Sequence, residues 1–425
     1  MTLYLVAFVL CLILGIPVAF SLGLASVAYL FVNDQWHLMI GFPQKMLAGI
    51  DNFVLLTIPF FILAGNLMNS ADLTRQIVRL AQMVVGRVRG GLAVVNVVAS
   101  MMFSGVSGAA TAEASAIGSV MIPAMRRDGY SAAYAAALTA AGSILGPLVP
   151  PSLSLILYGV LTSTSIADLF LAGIVPAFAL CGLLIVYALW RARVEDHPLP
   201  PMVPREERGE VALKALPALF LPVIIVGGIR TGVFTPTEAA AVAALYALVI
   251  GWLLYRTLDR RKIARAFYDT ATMTAGVMLI VAMASMTAFI LGIENIPRSI
   301  AAGLRGISEQ PWVLIILLNL VLLVLGLFLE PLAALVLAMP ILNEVYPLLE
   351  MNSVHFGVMV VLNLMIGMIT PPVGLCLFIV AAISKEPLER VALAILPMIG
   401  ICLVVLLLVA FVPALTLTLP AILGG

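Results

Sequence analysis

Residues 142–154 read GSILGPLVPPSLS, and residues 363–375 read NLMIGMITPPVGL. Each stretch places a Pro-Pro pair inside a long apolar run that has no Asp, Glu, Lys or Arg. Proline removes a backbone N–H and clashes with the preceding turn, so a double proline after glycine breaks a helix. The broken ends expose carbonyl oxygens, which coordinate cations, and N–H groups, which attract anions. The two stretches therefore predict two broken helices in an apolar environment.

The rest of the chain has the composition of a membrane protein. Of its 425 residues, 63% are hydrophobic and 10% are charged, whereas about a quarter of the residues of a soluble protein are charged. The net charge is +1, and the basic residues form no stripe or tail that would bind nucleic acid. We therefore predict an all-α polytopic membrane protein. The predicted membrane segments are 3–15, 17–33, 53–68, 92–122, 131–161, 167–190, 213–230, 236–255, 269–291, 313–342, 353–384 and 391–412.

A duplication is indicated by residues that recur in order at a fixed spacing. Four residues recur 221 positions later: Gly146, Pro150, Pro151 and Pro176 as Gly367, Pro371, Pro372 and Pro397. Two more recur 217 positions later, which predicts a four-residue length difference between the halves: Glu113 and Pro123 as Glu330 and Pro340. The predicted units are a first repeat over 1–193, a polar cytoplasmic linker over 194–214 and a second repeat over 215–425.

Charge orients the two halves in opposite directions. Arg87 and Arg89 precede segment 92–122 and two arginines follow it, so both ends of this segment are predicted to be cytoplasmic. Its counterpart, 313–342, is followed by NEVYPLLEMN, which has no basic residue and is predicted to lie outside. The repeats are therefore predicted to be inverted, and these two segments to be re-entrant hairpins. Their weak helical middles are SGVSGAAT and GLFLEP. A single kinked helix per segment is the alternative.

Three further stretches mix charged and apolar residues at helical spacing: 35–52, 70–89 and 293–311. This pattern predicts helices that lie along the membrane interface, in contact with lipid.

The breaks and hairpins offer the oxygen ligands that a sodium ion needs. The first half has Ser104, Ser107 and Thr111 on its hairpin, with carbonyl groups near Gly146 and Val149. The second half has carbonyl groups near Gly326 and Gly367, with the Thr370 hydroxyl. Such hydroxyls also simply bond to the carbonyl of the preceding turn, so the sequence leaves both roles open.

Glu113 and Glu330 are the charged residues of the two hairpins. An intramembrane carboxylate suggests function. Either residue is a structural anchor, a cation ligand or a proton carrier, and we favour the structural role for both. For Glu330, which precedes Pro331, a role at the helix N-terminus is at least as plausible as ion binding.

An enzymatic interpretation fails. Residues 105–108 match the GxSG of rhomboid proteases, whose serine needs a histidine base at membrane depth. The three histidines, His37, His197 and His355, lie at segment ends or in the linker. We therefore predict no enzyme activity.

Five stretches together resemble the large membrane subunit of tripartite ATP-independent periplasmic (TRAP) transporters. They are GIPVAFSLG at 15–23, FSGVSGAATAEASAIG at 103–118, GPLVPPS at 146–152, GIRTGVFTPTEAAA at 228–241 and GMITPPVG at 367–374. The resemblance implies an inverted-repeat elevator fold of the ion-transporter superfamily, placed in the bacterial inner membrane. It also implies sodium-driven import of an organic acid such as a C4-dicarboxylate or sialic acid. The implied partners are a periplasmic substrate-binding protein and a small four-helix membrane subunit.

The same resemblance assigns residues to sites. It implies sodium, a coupling ion rather than a cofactor, near Ser104, Ser107 and Gly146 in one half and Gly326, Gly367 and Thr370 in the other; the carbonyl group near Val149 is a further candidate ligand from the break itself. We expect the substrate between the hairpin tips and the breaks, near Thr111, Pro150, Pro151, Ser152, Pro371 and Pro372. Helices 17–33 and 236–255 would belong to the scaffold. A self-sufficient divalent-anion:sodium symporter and a non-transporting scaffold protein are the alternatives.

Overall fold

A computed structural model describes residues 2–86, 88–197, 199 and 204–423. Arg87 and part of the predicted linker lie outside these residues. Throughout the described part of the chain the regular structure is helical, with no strand. The predicted all-α class is therefore confirmed.

The helices of the first half are α1 (Thr2–Ile13), α2 (Val18–Val32), α3 (Phe42–Ile50), α4 (Thr57–Ser70), α5 (Leu73–Val85), α6 (Gly91–Ser107), α7 (Ala110–Arg127), α8 (Ala132–Ser143), α9 (Leu153–Thr162) and α10 (Ile166–Val194). Those of the second half are α11 (Arg208–Arg230), α12 (Pro236–Val249), α13 (Arg260–Ile293), α14 (Ile296–Ile307), α15 (Pro311–Phe328), α16 (Pro331–Val345), α17 (Ser353–Gly367), α18 (Leu375–Ser384), α19 (Leu388–Phe411) and α20 (Ala414–Leu423). Short 3₁₀ helices cover Trp36–Gly41, Phe53–Leu56, Arg205–Glu207 and Tyr346–Leu349, and Ile250–Leu254 forms a π-helical turn.

Eight helical stretches of the described residues are long and apolar enough to cross a membrane. They are Phe53–Ser70, Ile166–Val194, Arg208–Arg230, Pro236–Leu254, Arg260–Ile293, Pro311–Phe328, Pro331–Leu349 and Leu388–Phe411. Several shorter apolar helices accompany them, among them the pieces of the broken helices. The polytopic membrane class is thus confirmed.

Both predicted hairpin segments are divided into two helices within their predicted middles, and their re-entry into the membrane stays a prediction. In the first, α6 ends at Gly108, whose φ of +62° lies in the left-handed region, and Ala109 is extended before α7 begins. In the second, Leu329 and Glu330 are extended and Pro331 is the first residue of α16. Glycine after a helix and proline at its first position are the residues that favour such boundaries.

Both Pro-Pro stretches interrupt a helix, as predicted. The first break runs from the end of α8 to Ser152, whose hydroxyl caps α9 by accepting from the Leu155 N–H. The second runs from the end of α17 to Gly374, which precedes α18 with φ +51°. The Pro150–Pro151 and Pro371–Pro372 peptide bonds are cis.

The two halves share one element order, and their elements start at a nearly constant spacing. From α6 to α10, each helix begins 220–222 positions before its counterpart among α15 to α19. The predicted four-residue length difference, and with it the pairing of Glu113 with Glu330, is therefore wrong. Glu330 corresponds to Ala109, and both directly precede a helix. Glu113 lies one turn inside α7, at the position that Ala334 takes in α16. The inversion of the halves stays a prediction.

The halves interlock through their broken helices. The second-half helix α18 packs against α7 and α8 of the first half, and the first-half helix α9 packs against α16 and α17 of the second. Each hairpin is thus covered by part of the other half's broken helix. This exchange brings both hairpin tips together with the starts of both breaks, at Pro147 and Met368.

A second group of helices surrounds α4 and α13. The long helix α13 packs against α2, α3 and α4, and α12 packs against α4. This group contains the two predicted scaffold segments and contacts the first hairpin where α4 meets α6.

Helical segments were found at all three predicted interfacial stretches. In α5, Leu73, Ile77 and Ala81 are buried while Arg75 is exposed, as expected of an amphipathic helix.

The predicted segments differ from the structure in two places. Helix α11 begins at Arg208, inside the predicted linker. The predicted segments also omitted α20, which packs against α10 and α17.

Candidate functional site

The two hairpin tips meet at a small central cavity. It is lined by Gly108, Ala109, Ala110, Thr111, Pro147, Leu153, Ser154, Glu330, Pro331, Leu332, Met365 and Met368. Its volume of about 20 Å³ has room for about one water molecule. Of the predicted substrate residues, Thr111 therefore lines a cavity between the tips.

Three helices begin at this cavity. Ala110, Leu153 and Pro331, the first residues of α7, α9 and α16, all line it. The first N–H groups of a helix have no partner within the helix, and the helix dipole makes this end positive. Together, these three N-termini favour an anion in the cavity, whereas the carboxyl group of Glu330, which also lines it, opposes one when it is ionised.

The first hairpin tip lies directly against the first break. A Cβ added at Gly108 would be 2.2 Å from the Pro151 carbonyl oxygen. Predicted residue Pro151 is therefore a neighbour of the tip, as expected. Ser152 is buried, and its hydroxyl, which caps α9, also bonds to the Pro147 carbonyl. Those bonds give the Ser152 side chain a structural role in this conformation.

Two of the predicted sodium ligands of the first half, Ser104 and Gly146, converge on Glu113. The Ser104 hydroxyl is 3.0 Å from Glu113 Oε2 and 2.7 Å from the Ser100 carbonyl oxygen. A Cβ at Gly146 would be 2.6 Å from the same Oε2. Glu113 is fully buried. The first break, α6 and α7 thus enclose a cluster of oxygen atoms around one carboxyl group.

In the second half, Gly326 and Gly367 are in backbone contact. A Cβ at Gly367 would be 2.5 Å from both the Cα and the carbonyl carbon of Gly326. This pair brings the end of α15 against the end of α17, where carbonyl groups accumulate. Thr370 is half-buried and donates to the Ile366 carbonyl at 2.7 Å, which is the local bond that the sequence left open.

The remaining predicted residues face other surroundings. Ser107 lines a second cavity of about 30 Å³, together with Asn66 and Asn69 of α4. Val149 and Pro150 line an apolar groove between α6, α10 and α11. Pro371 is half-buried and Pro372 is exposed.

Ser154, Met365 and Met368 line the cavity although no pattern in the sequence singles them out. The contact of Ser104 with Glu113 is a further feature that is absent from the sequence-based predictions. The sequence does indicate the Ser104–Glu113 contact, because the two residues are equally far from the break after Gly108. Residues equidistant from the turn of a hairpin face each other, so the position of the break predicts this pair.

The start of the linker packs onto the loop between the first hairpin and the first broken helix. The rings of His197 and Tyr130 have centroids 4.1 Å apart, and His197 Nε2 is 3.0 Å from a Glu195 carboxylate oxygen. Burial lowers the pKa of His197 below its ordinary value, although Glu195 opposes this shift. Burial raises the pKa of Tyr130 to about 12.

This environment predicts a pH-dependent stability. The unfolded chain protonates His197 near pH 6.5, whereas the folded protein does so only at lower pH. The unfolded state therefore binds more protons in this window, and stability falls as the pH drops from about 6.5 through the folded-state pKa. We expect Tm between pH 7.5 and 5.5 to depend less on pH in His197→Gln than in the wild type. His37→Gln, at an exposed histidine, should keep the wild-type slope. Equal slopes in all three proteins would contradict this prediction.

Comparison with known proteins gives one consistent result. Residues 5–415 match the family model of the tripartite ATP-independent periplasmic transporter, DctM component. The chain is 42% identical to the sialic acid TRAP transporter large permease protein SiaM of Vibrio cholerae, covering 97% of this chain and 96% of that one. It is 39% identical to the C4-dicarboxylate TRAP transporter large permease protein DctM of Pseudomonas aeruginosa, with 89% of each covered.

A solved transporter structure has a similar fold. The YdaH transporter of Alcanivorax borkumensis superposes with a TM-score of 0.64 at 14% identity, covering 89% of this chain and 88% of that one. Near-full-length similarity to large permeases, with many apolar helices, makes the chain a multi-pass inner-membrane protein. The chain belongs to the DctM family, the large permease subunits of TRAP transporters.

Proposed function

We propose that this chain is the sodium-coupled subunit that imports an organic acid, delivered by a periplasmic substrate-binding protein, through an elevator mechanism. The observation that carries the proposal is the convergence of three helix N-termini on a cavity between two hairpin tips. Substrate-sized sites occur in transporters where broken helices meet, with positive helix ends directed at anionic groups.

The substrate would be held at this cavity by its carboxylate. The N-termini of α7, α9 and α16 would attract the negative charge, and the hydroxyls of Thr111 and Ser154 would donate hydrogen bonds. Glu330 would accept from substrate hydroxyl groups. Small-molecule sites enclose about 300–1,000 Å³, so the tips must separate to admit substrate. The two relatives named above transport carboxylic acids, sialic acid and C4-dicarboxylates, which supports an organic acid here.

Sodium would be held beside the breaks. Ser104 and Gly146 fit such a site in the first half because several oxygen atoms lie close together there. Gly326, Gly367 and Thr370 fit one in the second half, since two helix C-termini meet at the glycines. Bound sodium would supply positive charge that strengthens substrate binding.

The moving unit would consist of the hairpins and broken helices, and the scaffold would include α2, α4, α12 and α13. One close approach between the two groups supports a sliding contact. A Cβ at Gly65 of α4 would be 3.4 Å from the Val106 carbonyl oxygen and 3.6 Å from Ser107 Cα. Because glycine has no side chain, it lets α4 run close to the hairpin without interlocking.

The coupling ions can be tested without knowledge of the substrate. A ligand at about 100 times its Kd adds about 2.7 kcal/mol of stability, so Tm of the purified chain should be higher in sodium than in potassium at matched ionic strength. Ser104→Ala and Thr370→Ala should each reduce this difference. Thr272→Ala is the matched control, because Thr272 makes the same bond to the preceding turn on exposed α13 surface. If both site variants kept the full Tm difference between sodium and potassium, Ser104 and Thr370 would not be sodium ligands.

Transport itself is tested in liposomes that contain the chain with its small membrane subunit. Uptake of sialic acid or a C4-dicarboxylate should require both an inward sodium gradient and the periplasmic binding protein. Uptake without the binding protein would favour a self-sufficient divalent-anion:sodium symporter. Uptake that is indifferent to sodium would contradict the proposed coupling.

A further inference from the structure

We infer that Glu113 is a carboxylate ligand of the first-half sodium site, so that the two sodium sites differ in charge. The inference rests on the proposed sodium coupling and adds to it a residue and an asymmetry between the halves. It starts from the surroundings of the Glu113 side chain.

Glu113 is fully buried, and its Oε1 has no hydrogen-bond partner. Its Oε2 faces Ser104, whose single hydroxyl hydrogen is also within reach of the Ser100 carbonyl. The Ser100 hydroxyl is buried without another partner and lies beside the same carboxyl group. With Glu113 ionised, the group has more acceptor sites than the two hydroxyl hydrogens can satisfy, a deficit that a cation would remove.

Among the ion pairs of the described residues, none includes Glu113. The thiols of Cys181 on α10 and Cys376 on α18 are near enough to interact electrostatically with Glu113, but they carry no positive charge. A buried carboxylate without a counter-charge is strongly unfavourable, so the group is neutralised either by a proton or by a small cation that enters from the break.

Two helix ends near Glu113 favour a cation. Helices α6 and α8 both end nearby, and the C-terminal end of a helix is negative, whereas the carboxyl group itself lies in the first turn of α7, where the helix end is positive. The Ser143 carbonyl oxygen, at the end of α8, is 3.3 Å from the position of a Gly146 Cβ. A side chain at Gly146 would also come within 2.6 Å of Glu113 Oε2, so the glycine keeps this space open. Carbonyl, hydroxyl and carboxylate oxygens are the ligands that hard cations prefer.

The second half has no such carboxylate. The position equivalent to Glu113 in α16 is Ala334, and the Gly326–Gly367 contact presents backbone groups. One sodium site would therefore carry a formal negative charge and the other none. We expect the first to bind sodium more tightly.

The test is a sodium titration of Tm, in potassium-balanced buffer, on the wild type and on Glu113→Gln. The neutral amide has the same shape, so Tm in potassium should change little. The sodium concentration for half of the stabilisation should rise at least tenfold. Glu344→Gln, which removes an exposed carboxylate from α16, should titrate as the wild type does. An unchanged titration of Glu113→Gln would overturn the inference, whereas a wild type that ignores sodium would overturn the proposed coupling and this inference with it.

A second measurement applies if Glu113→Gln does not fold. Infrared difference spectra of the wild type, sodium minus potassium, should contain bands of a carboxylate that gains a cation. These bands should shift in Glu113→Asp, which keeps the acid but shortens its reach. Spectra without carboxylate bands, or with bands identical in Glu113→Asp, would overturn the inference.

Discussion

Replacing Gly108 by alanine is expected to abolish uptake and to lower stability by about 3 kcal/mol or more. An alanine at φ +62° costs about 1–2 kcal/mol. Its Cβ would also lie 2.2 Å from the Pro151 carbonyl oxygen, and such overpacking costs about 1–3 kcal/mol. Because the neighbour is backbone, it has no rotamer into which it can move. Relief requires the tip to withdraw from the first break and would open the central cavity.

The control variant Gly129→Ala separates the effect of backbone strain from the effect of the contact between the hairpin tip and the first break. Gly129 also has a positive φ, +89°, but a Cβ there would meet nothing within 4 Å. It should lose some stability from backbone strain and keep its uptake. The measurements are Tm of the purified proteins and uptake in liposomes with the partner proteins. Equal uptake by Gly108→Ala and Gly129→Ala would show that the contact of the tip with the break is dispensable.

Replacing Gly367 by alanine is expected to have the second large effect. The added Cβ would lie 2.5 Å from the Cα and carbonyl carbon of Gly326. Two helix backbones would have to move apart where α15 and α17 end, at an expected cost of about 1–3 kcal/mol. We expect a lower Tm and loss of the sodium contribution from the second half.

The matched control for this prediction is Gly400→Ala in α19. Gly400 is also helical, and a Cβ there would meet nothing within 4 Å. Alanine is favoured over glycine in a helix by about 1 kcal/mol, so this variant should be at least as stable as the wild type. If Gly367→Ala matched Gly400→Ala in Tm and sodium response, the tight glycine contact would not be needed for the second-half site.

Much of this architecture was predictable because its signals are local. Proline pairs and glycines determine where helices break, and they do so by backbone sterics that depend on few neighbours. The breaks after Gly108 and before Pro331 were therefore located within a few residues. The broken helices at Pro150–Pro151 and Pro371–Pro372 were located in the same way.

The features that the sequence did not predict depend on the register between the two halves or on contacts between distant segments. Glu113 and Glu330 were paired because they are the same residue type, but the helix starts put Ala109 opposite Glu330. The capping of α9 by the Ser152 hydroxyl has no counterpart in the sequence pattern, and the substrate contact of Ser152 stays a prediction. The inclusion of Met365 and Ser154 in one cavity depends on how α17 and α9 pack, which no local pattern encodes.

The interlocking of the halves has a consequence for biosynthesis. The surfaces of α7 and α8 that α18 covers are made more than 200 residues before α18 itself. At about 5–20 residues per second, the nascent first half waits roughly 10–45 s in the membrane with this face bare. The insertion machinery or surrounding lipid must shield it meanwhile. A ribosome that stalls after the first half would leave a fragment that cannot complete its own core, and membrane proteases would have this face available for recognition.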